Sequence, residues 1–224
     1  MKKQNKEEEN SKEDKEQENK IAREEEIKTQ NKTLKNVMIF LVVTIASFAA
    51  VVLLIHYLNS FSYEEVKFDI IKEGRIILYN TKFPVYSSIT GKQIADYNFY
   101  LRNDPRELEK IPFDGVINLR DIMVLNITEG LNCDGDGIIA VANFIQILEN
   151  FGIKIMKDPN ATCDDIYGRY NFIRVIKGNE TRINEFGFNG GCYNFVVKDC
   201  EILPVTEKFL VETFIKFKDG KLVK

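Results

Sequence analysis

The stretch Val37-Met38-Ile39-Phe40-Leu41-Val42-Val43-Thr44-Ile45-Ala46-Ser47-Phe48-Ala49-Ala50-Val51-Val52-Leu53-Leu54-Ile55 decides how the chain is organised, because it holds no acidic, basic or amide side chain. At about 1.5 Å rise per residue, roughly 20 residues of helix cover the ~30 Å hydrocarbon core of a bilayer. A helix also satisfies its own backbone polar groups, which lipid cannot do. Thr44 and Ser47 are expected to bond back to carbonyls one turn earlier, and His56 and Tyr57 fall where the span meets the interface. A cleaved signal peptide has a short leader and an apolar run of only ~7–15 residues. Here 36 residues precede a longer run, so the run reads as a retained span. Three segments follow: a charged tail over 1–36, a transmembrane helix over 37–58, and a folded domain over 59–224.

The tail carries ten Lys/Arg against ten Asp/Glu and no apolar stripe, so it has nothing to bury and is expected to be disordered. Lys28, Lys32 and Lys35 lie just before the span, whereas the first basic residue after it is Lys67. The positive-inside rule then puts the N-terminus in the cytoplasm and residues 59–224 outside. All four cysteines (Cys133, Cys163, Cys192 and Cys200) lie beyond the span, as an exported, oxidised domain allows. So do three glycosylation sequons, at Asn126, Asn160 and Asn179.

The remaining 166 residues suffice for one well-buried core. Short β-type runs come first: 66–71 and 75–79 around a turn at Lys72-Glu73-Gly74, then 83–87, 97–101, 116–119 and 123–127. Residues 138–151 read as a helix packed on most sides, with Asp136 capping its start and Gly152 ending it. A return strand over 153–156 follows, then a three-stranded meander over 170–176, 181–186 and 193–197. Residues 204–218 read as a closing helix, although Val211, Thr213, Ile215 and Phe217 also suit a strand. The class is α+β, a mostly antiparallel sheet carrying about two packed helices.

The only histidine, His56, lies at the membrane edge, which leaves the domain without a Ser-His-Asp triad, a Cys-His pair or a His-based zinc site. Any catalysis must use carboxylate, Lys, Tyr or Cys chemistry. Asn132-Cys133-Asp134-Gly135-Asp136-Gly137 resembles the first half of an EF-hand loop, with Asn132, Asp134 and Asp136 as oxygen ligands for calcium. Its twelfth position is Asn143 where a bidentate Glu belongs, so a polar turn is the plainer reading.

Cys192 and Cys200 flank an extended run that would hold them roughly 25 Å apart at about 3.3 Å per residue, too far for a disulfide. The 138–151 helix and its return strand bring Cys163 back close to Cys133. The meander brings Cys192 to the end where the 170–176 strand starts, also near Cys163. Three cysteines therefore share one end, and Cys133–Cys163 stays open as an alternative. Cys163–Cys192 is the expected bond, and Cys133–Cys200 its complement. Arg102, Arg106 and Arg120 are candidates for an anion site, although Asp104, Glu107 and Asp121 explain them equally well. Asp164-Asp165 is an acidic pair next to Cys163, read as solvated. An acidic exported domain without a basic stripe argues against nucleic acid as a partner.

The stretches Tyr100-Leu101-Arg102-Asn103-Asp104-Pro105-Arg106 and Cys200-Glu201-Ile202-Leu203-Pro204-Val205-Thr206-Glu207-Lys208-Phe209 are similar to those of uncharacterised single-pass, membrane-anchored proteins of small-genome archaea. The resemblance implies an anchor and an exported domain, but no activity. The functional expectation is a non-enzymatic binding or envelope-assembly protein that engages a cell-surface protein or glycan. The alternative is an envelope enzyme with carboxylate or thiol chemistry, a hydrolase or a thiol-disulfide oxidoreductase.

Overall fold

A computed structural model describes residues 31–32, 34–86, 92–127, 133–164 and 166–217. The chain divides into two units, Met1–Leu58 and Asn59–Lys224. In the first, Leu34–Leu58 form a 25-residue apolar helix, α1, long enough to cross a bilayer. Its two hydroxyls turn inward on the helix backbone. Thr44 Oγ1 donates to the Phe40 carbonyl and Ser47 Oγ to that of Thr44, each at 2.9 Å.

The second unit is α+β, with two sheets and two α-helices among the described residues. The first sheet is an antiparallel meander of β1 (Ser60–Tyr63), β2 (Val66–Glu73), β3 (Ile76–Tyr86) and β4 (Gln93–Leu101). The described part of the runs 75–79 and 83–87 thus falls in one long strand, Ile76–Tyr86, with Arg75 in the turn before it and Ser87 outside the described residues. Proline is tolerated there because β2 pairs with β3 only between Ile76 and Asn80, which leaves Pro84 beyond the β2 ladder and opposite Asp96 of β4 alone.

The second sheet contains β5 (Phe113–Asp114), β6 (Ile122–Ile127), β7 (Lys154–Lys157), β8 (Asn171–Lys177), β9 (Arg182–Phe186) and β10 (Cys192–Val197), in the order β5-β9-β10-β8-β6-β7. Only β9 and β10 pair antiparallel, and the other four pairings are parallel. Helix α2 (Asp136–Asn150) is the crossover from β6 to its parallel neighbour β7. The expected meander does not form, because β10 inserts between β8 and β9 and pairs with both. Residues 178–181 step over the end of β10 so closely that a Cβ at Gly178 would lie 2.2 Å from Val196 Cγ1. A residue with a Cβ at 178 would force the β-branched Val196 side chain to shift.

Helix α3 (Ile202–Lys216) organises the core. Phe209 meets Phe113, Phe144, Tyr193 and Phe195, linking the second sheet to α2. One and a half turns on, Phe214 meets Phe83, Phe99 and Phe151, linking the first sheet to the end of α2. Burying a side chain of that kind contributes about 1.5–3 kcal/mol. So much of α3 is covered that even Glu207 and Lys208 are buried. Thr206 and Thr213 return their hydroxyls to carbonyls of their own helix, and Lys208 pairs with Glu212 at 2.6 Å.

Helix α2 was expected to be packed on most sides, yet it buries one face only: Gly137, Ala140, Phe144, Ile147 and Leu148, while Ile138 is 66% exposed. Its N-cap is Gly135 in the left-handed region, and Asp136 makes no side-chain cap. Segment 116–119, expected as a strand, belongs to no strand.

Candidate functional site

The chain must travel from β5, at one edge of the second sheet, to β6 on the far side of β8. It crosses the ends of β9, β10 and β8 in turn, and a buried or half-buried side chain from each strand satisfies its backbone. From β9, Glu185 Oε2 accepts the Val116 N–H at 2.9 Å. From β10, the Tyr193 hydroxyl donates to the Val116 carbonyl at 2.8 Å and accepts from the Asn118 N–H at 2.9 Å. From β8, Asn171 accepts from the Arg120 N–H and donates to the Asn118 carbonyl, both at 2.6 Å. Lys216 of α3 donates to the Ile117 carbonyl. Burial holds the Tyr193 phenol well above its usual pKa, so it remains a neutral O–H and can do both jobs.

At this same end lie two loops, 164–169 before β8 and 187–191 before β10. The disulfide Cys163–Cys192 ties their bases, with Cα atoms 5.8 Å apart. It is packed with Val124 and Phe172, with Tyr170 and Phe186 alongside. Arg120 reaches between the loops: Nη1 donates to the Tyr170 carbonyl at 2.9 Å, and Nη2 to those of Asn189 and Gly190 at 3.2 and 3.3 Å. The guanidinium leaves no room for a side chain on Gly168, whose φ is +57° and whose Cβ would sit 2.8 Å from Nη2.

Asp164 folds its own loop by accepting from the N–H groups of Tyr167 and Arg169 and from Arg169 Nε at 2.8 Å. The bond from the Arg169 side chain is the chief reason its pKa is lowered. Asn189 Nδ2 donates to the Ile166 carbonyl at 3.3 Å, joining the loop tips. Glu185 accepts the Gly191 N–H at 2.7 Å.

On this fixed backbone, large apolar side chains face solvent. Phe188 is 100% exposed, Ile166 78%, Tyr167 73% and the neighbouring Val116 64%. Isolated exposed apolar residues need no explanation, but here three lie on loops held by a disulfide, a guanidinium and two carboxylates, and Val116 lies on the crossing segment at the same end of the domain. Sequence reading passed over these residues because they show no periodicity. The available signal was their setting, large apolar side chains inside turn sequences such as Gly187-Phe188-Asn189-Gly190-Gly191.

The other candidate residues are dispersed. Arg106 holds Asp104 and stacks 4.1 Å over the ring of Phe61, Arg102 lies 3.9 Å from Asp136, and Arg120 is spent on carbonyls. Burial of Asp104 would raise its pKa, but the bonds from Arg106 outweigh it and the pKa is lowered. The three arginines thus serve separate partners rather than one anion. Of the calcium-loop residues, Asp136 faces Arg102, while Asn132 and the Asp134 side chain lie outside the described residues, as does Asp165.

Asn126 donates to the Pro159 and Ala161 carbonyls at 3.0 and 3.1 Å, whereas Asn160 and Asn179 are exposed. Cys133 is bonded to Cys200, with Cα atoms 5.4 Å apart. Neither a family model, nor a curated protein, nor a solved structure matches the chain, so its own geometry carries the functional reading.

Proposed function

We propose that the protein is a membrane-tethered, non-enzymatic binding module whose exported α+β domain recognises another cell-surface protein or glycan through the loop pair 164–169 and 187–191. The carrying observation is the exposure of Phe188, Ile166 and Tyr167 on backbone fixed by Cys163–Cys192, Arg120 and Asp164. Aromatic side chains on rigid loops supply contact area at little entropic cost, which is the usual composition of binding hot spots. The anchoring role rests on α1, and the cytoplasmic placing of the tail on Lys28, Lys32 and Lys35. Export to an oxidising compartment agrees with two disulfides, and the exposed Asn160 and Asn179 are the sequons best placed to carry glycans.

The test is a photoreactive residue placed at position 188 of the full chain in native membranes. A discrete adduct is expected, and it should be lost when Tyr167→Asp is added. That substitution, on an exposed residue, should change stability by no more than about 0.5 kcal/mol. No adduct from 188, 167 or 166 in a correctly disulfide-bonded protein would overturn the reading. Protease added to intact cells tests the orientation separately, since an exported domain should be cut and the tail spared.

A further inference from the structure

We propose that Cys133–Cys200 is an exchangeable disulfide, opened by a dithiol reductant while Cys163–Cys192 stays closed, and that its opening loosens the starts of α2 and α3. The two bonds differ at one sulfur each. Cys133 and Cys163 are both half-buried, but Cys192 is buried at 1% exposure within an apolar cluster, which leaves a thiolate only the Cys163 side of that bond. Cys200 is exposed, in the turn between β10 and α3. Backbone conformation separates them further. Cys133 has φ +49° and Cys200 φ +67°, both in the left-handed region that residues with a Cβ seldom occupy, and Asp199 beside it has φ +44°. Neither Cys163 nor Cys192 is among the residues with positive φ. Exposure and strain are the two properties that make a disulfide reducible.

The location gives the opening a consequence. Cys133 opens the 3-10 turn that leads into α2, and Cys200 stands two residues before α3, so the bond ties together the entries of the two core helices. In the exchange, a thiolate of the dithiol attacks Sγ of Cys200, forms a mixed disulfide and releases the Cys133 thiolate. The second sulfur of the dithiol then attacks the first, releasing the Cys200 thiolate. The dithiol is oxidised to a disulfide, and two electrons, with two protons, pass to the protein. The left-handed turn at 199–200 is then free to relax.

The experiment equilibrates the full chain in lipid nanodiscs with dithiothreitol buffers of graded ratio, quenches with acid, and measures each cysteine by differential alkylation and mass spectrometry. Cys133 and Cys200 are expected to become labelled together at a reduced-to-oxidised ratio at least tenfold lower than Cys163 and Cys192 need, a gap of about 30 mV or more for a two-electron couple. A gap below tenfold, or earlier opening of Cys163–Cys192, overturns the proposal. Hydrogen exchange on the half-reduced protein gives the second readout. Exchange should quicken in the first turns of α2 and α3 and stay unchanged in β8 and β10. Unaltered protection at both helix starts, or protection lost throughout the domain, overturns the proposed loosening. A Cys163→Ala/Cys192→Ala variant should open Cys133–Cys200 at the same ratio, and a large shift would show that the two bonds act as one unit and defeat the proposal.

Discussion

Asn171 is completely buried, and its one amide group serves three backbone partners: the Arg120 N–H and the carbonyls of Asn118 and Gly191. Replacing it with Leu leaves all three without that partner, at about 1–3 kcal/mol for each buried group left unsatisfied. Asn171→Leu is expected to lower stability in urea unfolding by about 3 kcal/mol or more; a loss under about 1 kcal/mol would mean that water replaces the amide.

Glu207 is a second buried polar residue, and its two oxygens accept from the Arg102 N–H, the Asn103 N–H and Asn103 Nδ2 at 2.7 to 2.8 Å. Burial raises its pKa, and these bonds only partly oppose the shift. The native state therefore holds this proton more tightly than the unfolded chain does. Its contribution to stability is full below the unfolded value and is lost as pH rises through the window up to the raised one. Asp104 and Asp164, both lowered, act in the opposite sense at lower pH, so the test is a difference. Urea midpoints of the native protein minus those of Glu207→Gln should fall with rising pH across that window, and a flat difference would refute it.

Among the elements, α3 shows most sharply what sequence conceals. A helix buried all round has no polar stripe to reveal its period, which is why Val211, Thr213, Ile215 and Phe217 also suited a strand. Helix α2, with apolar residues on nearly every side, invited the reverse error: Ile138 faces water although nothing in its type says so. Phe209→Ala should cost about 3–5 kcal/mol, because the rings around it cannot collapse into the space. Ile138→Ala should stay within about 0.5 kcal/mol, and equal costs for the two would contradict the placement of α3.

Strand positions were mostly legible, since alternation and turn residues are local signals. Strand order was not, because pairing β10 with both β8 and β9 is a tertiary choice that no local residue pattern records. The expectation that Cys192 lies near Cys163 was nevertheless compatible with the real order: β8 and β10 point the same way whether β9 lies between them or outside, and their register sets Cys192 opposite Phe172. The loop surface was hidden for a different reason. Exposure of Phe188 is a property of the tertiary structure, and only its glycine-rich setting hinted at it.

At the scale of the whole molecule, a single sheet end carries the crossing segment, the Cys163–Cys192 disulfide and the apolar loop pair, so the contacts that fix the sheet end also hold the exposed apolar residues in place. Cys163→Ser/Cys192→Ser should lose about 2–4 kcal/mol in unfolding and should also weaken any partner adduct from position 188. Stability lost without any loss of adduct would separate the staple from the surface it supports. Among the described residues, the parallel β6-α2-β7 unit and the antiparallel first sheet share no hydrogen bonds between strands. Helix α3 joins them, through Phe209 on one side and Phe214 on the other, together with Phe151 at the end of α2 against Phe83 and Phe99.

That arrangement has a temporal consequence. The helix on which both sheets pack is the last of the described elements in the chain, and the crossing segment 116–120 relies on partners 50 to 99 residues later. The first sheet can pair locally, but the contacts that join the two sheets cannot form until residues 202–216 have been made. Until α3 is present, the apolar faces that it covers have no partner. Completion of the core is then expected to be slow, as high contact order dictates, and to leave an aggregation-prone intermediate that lacks α3.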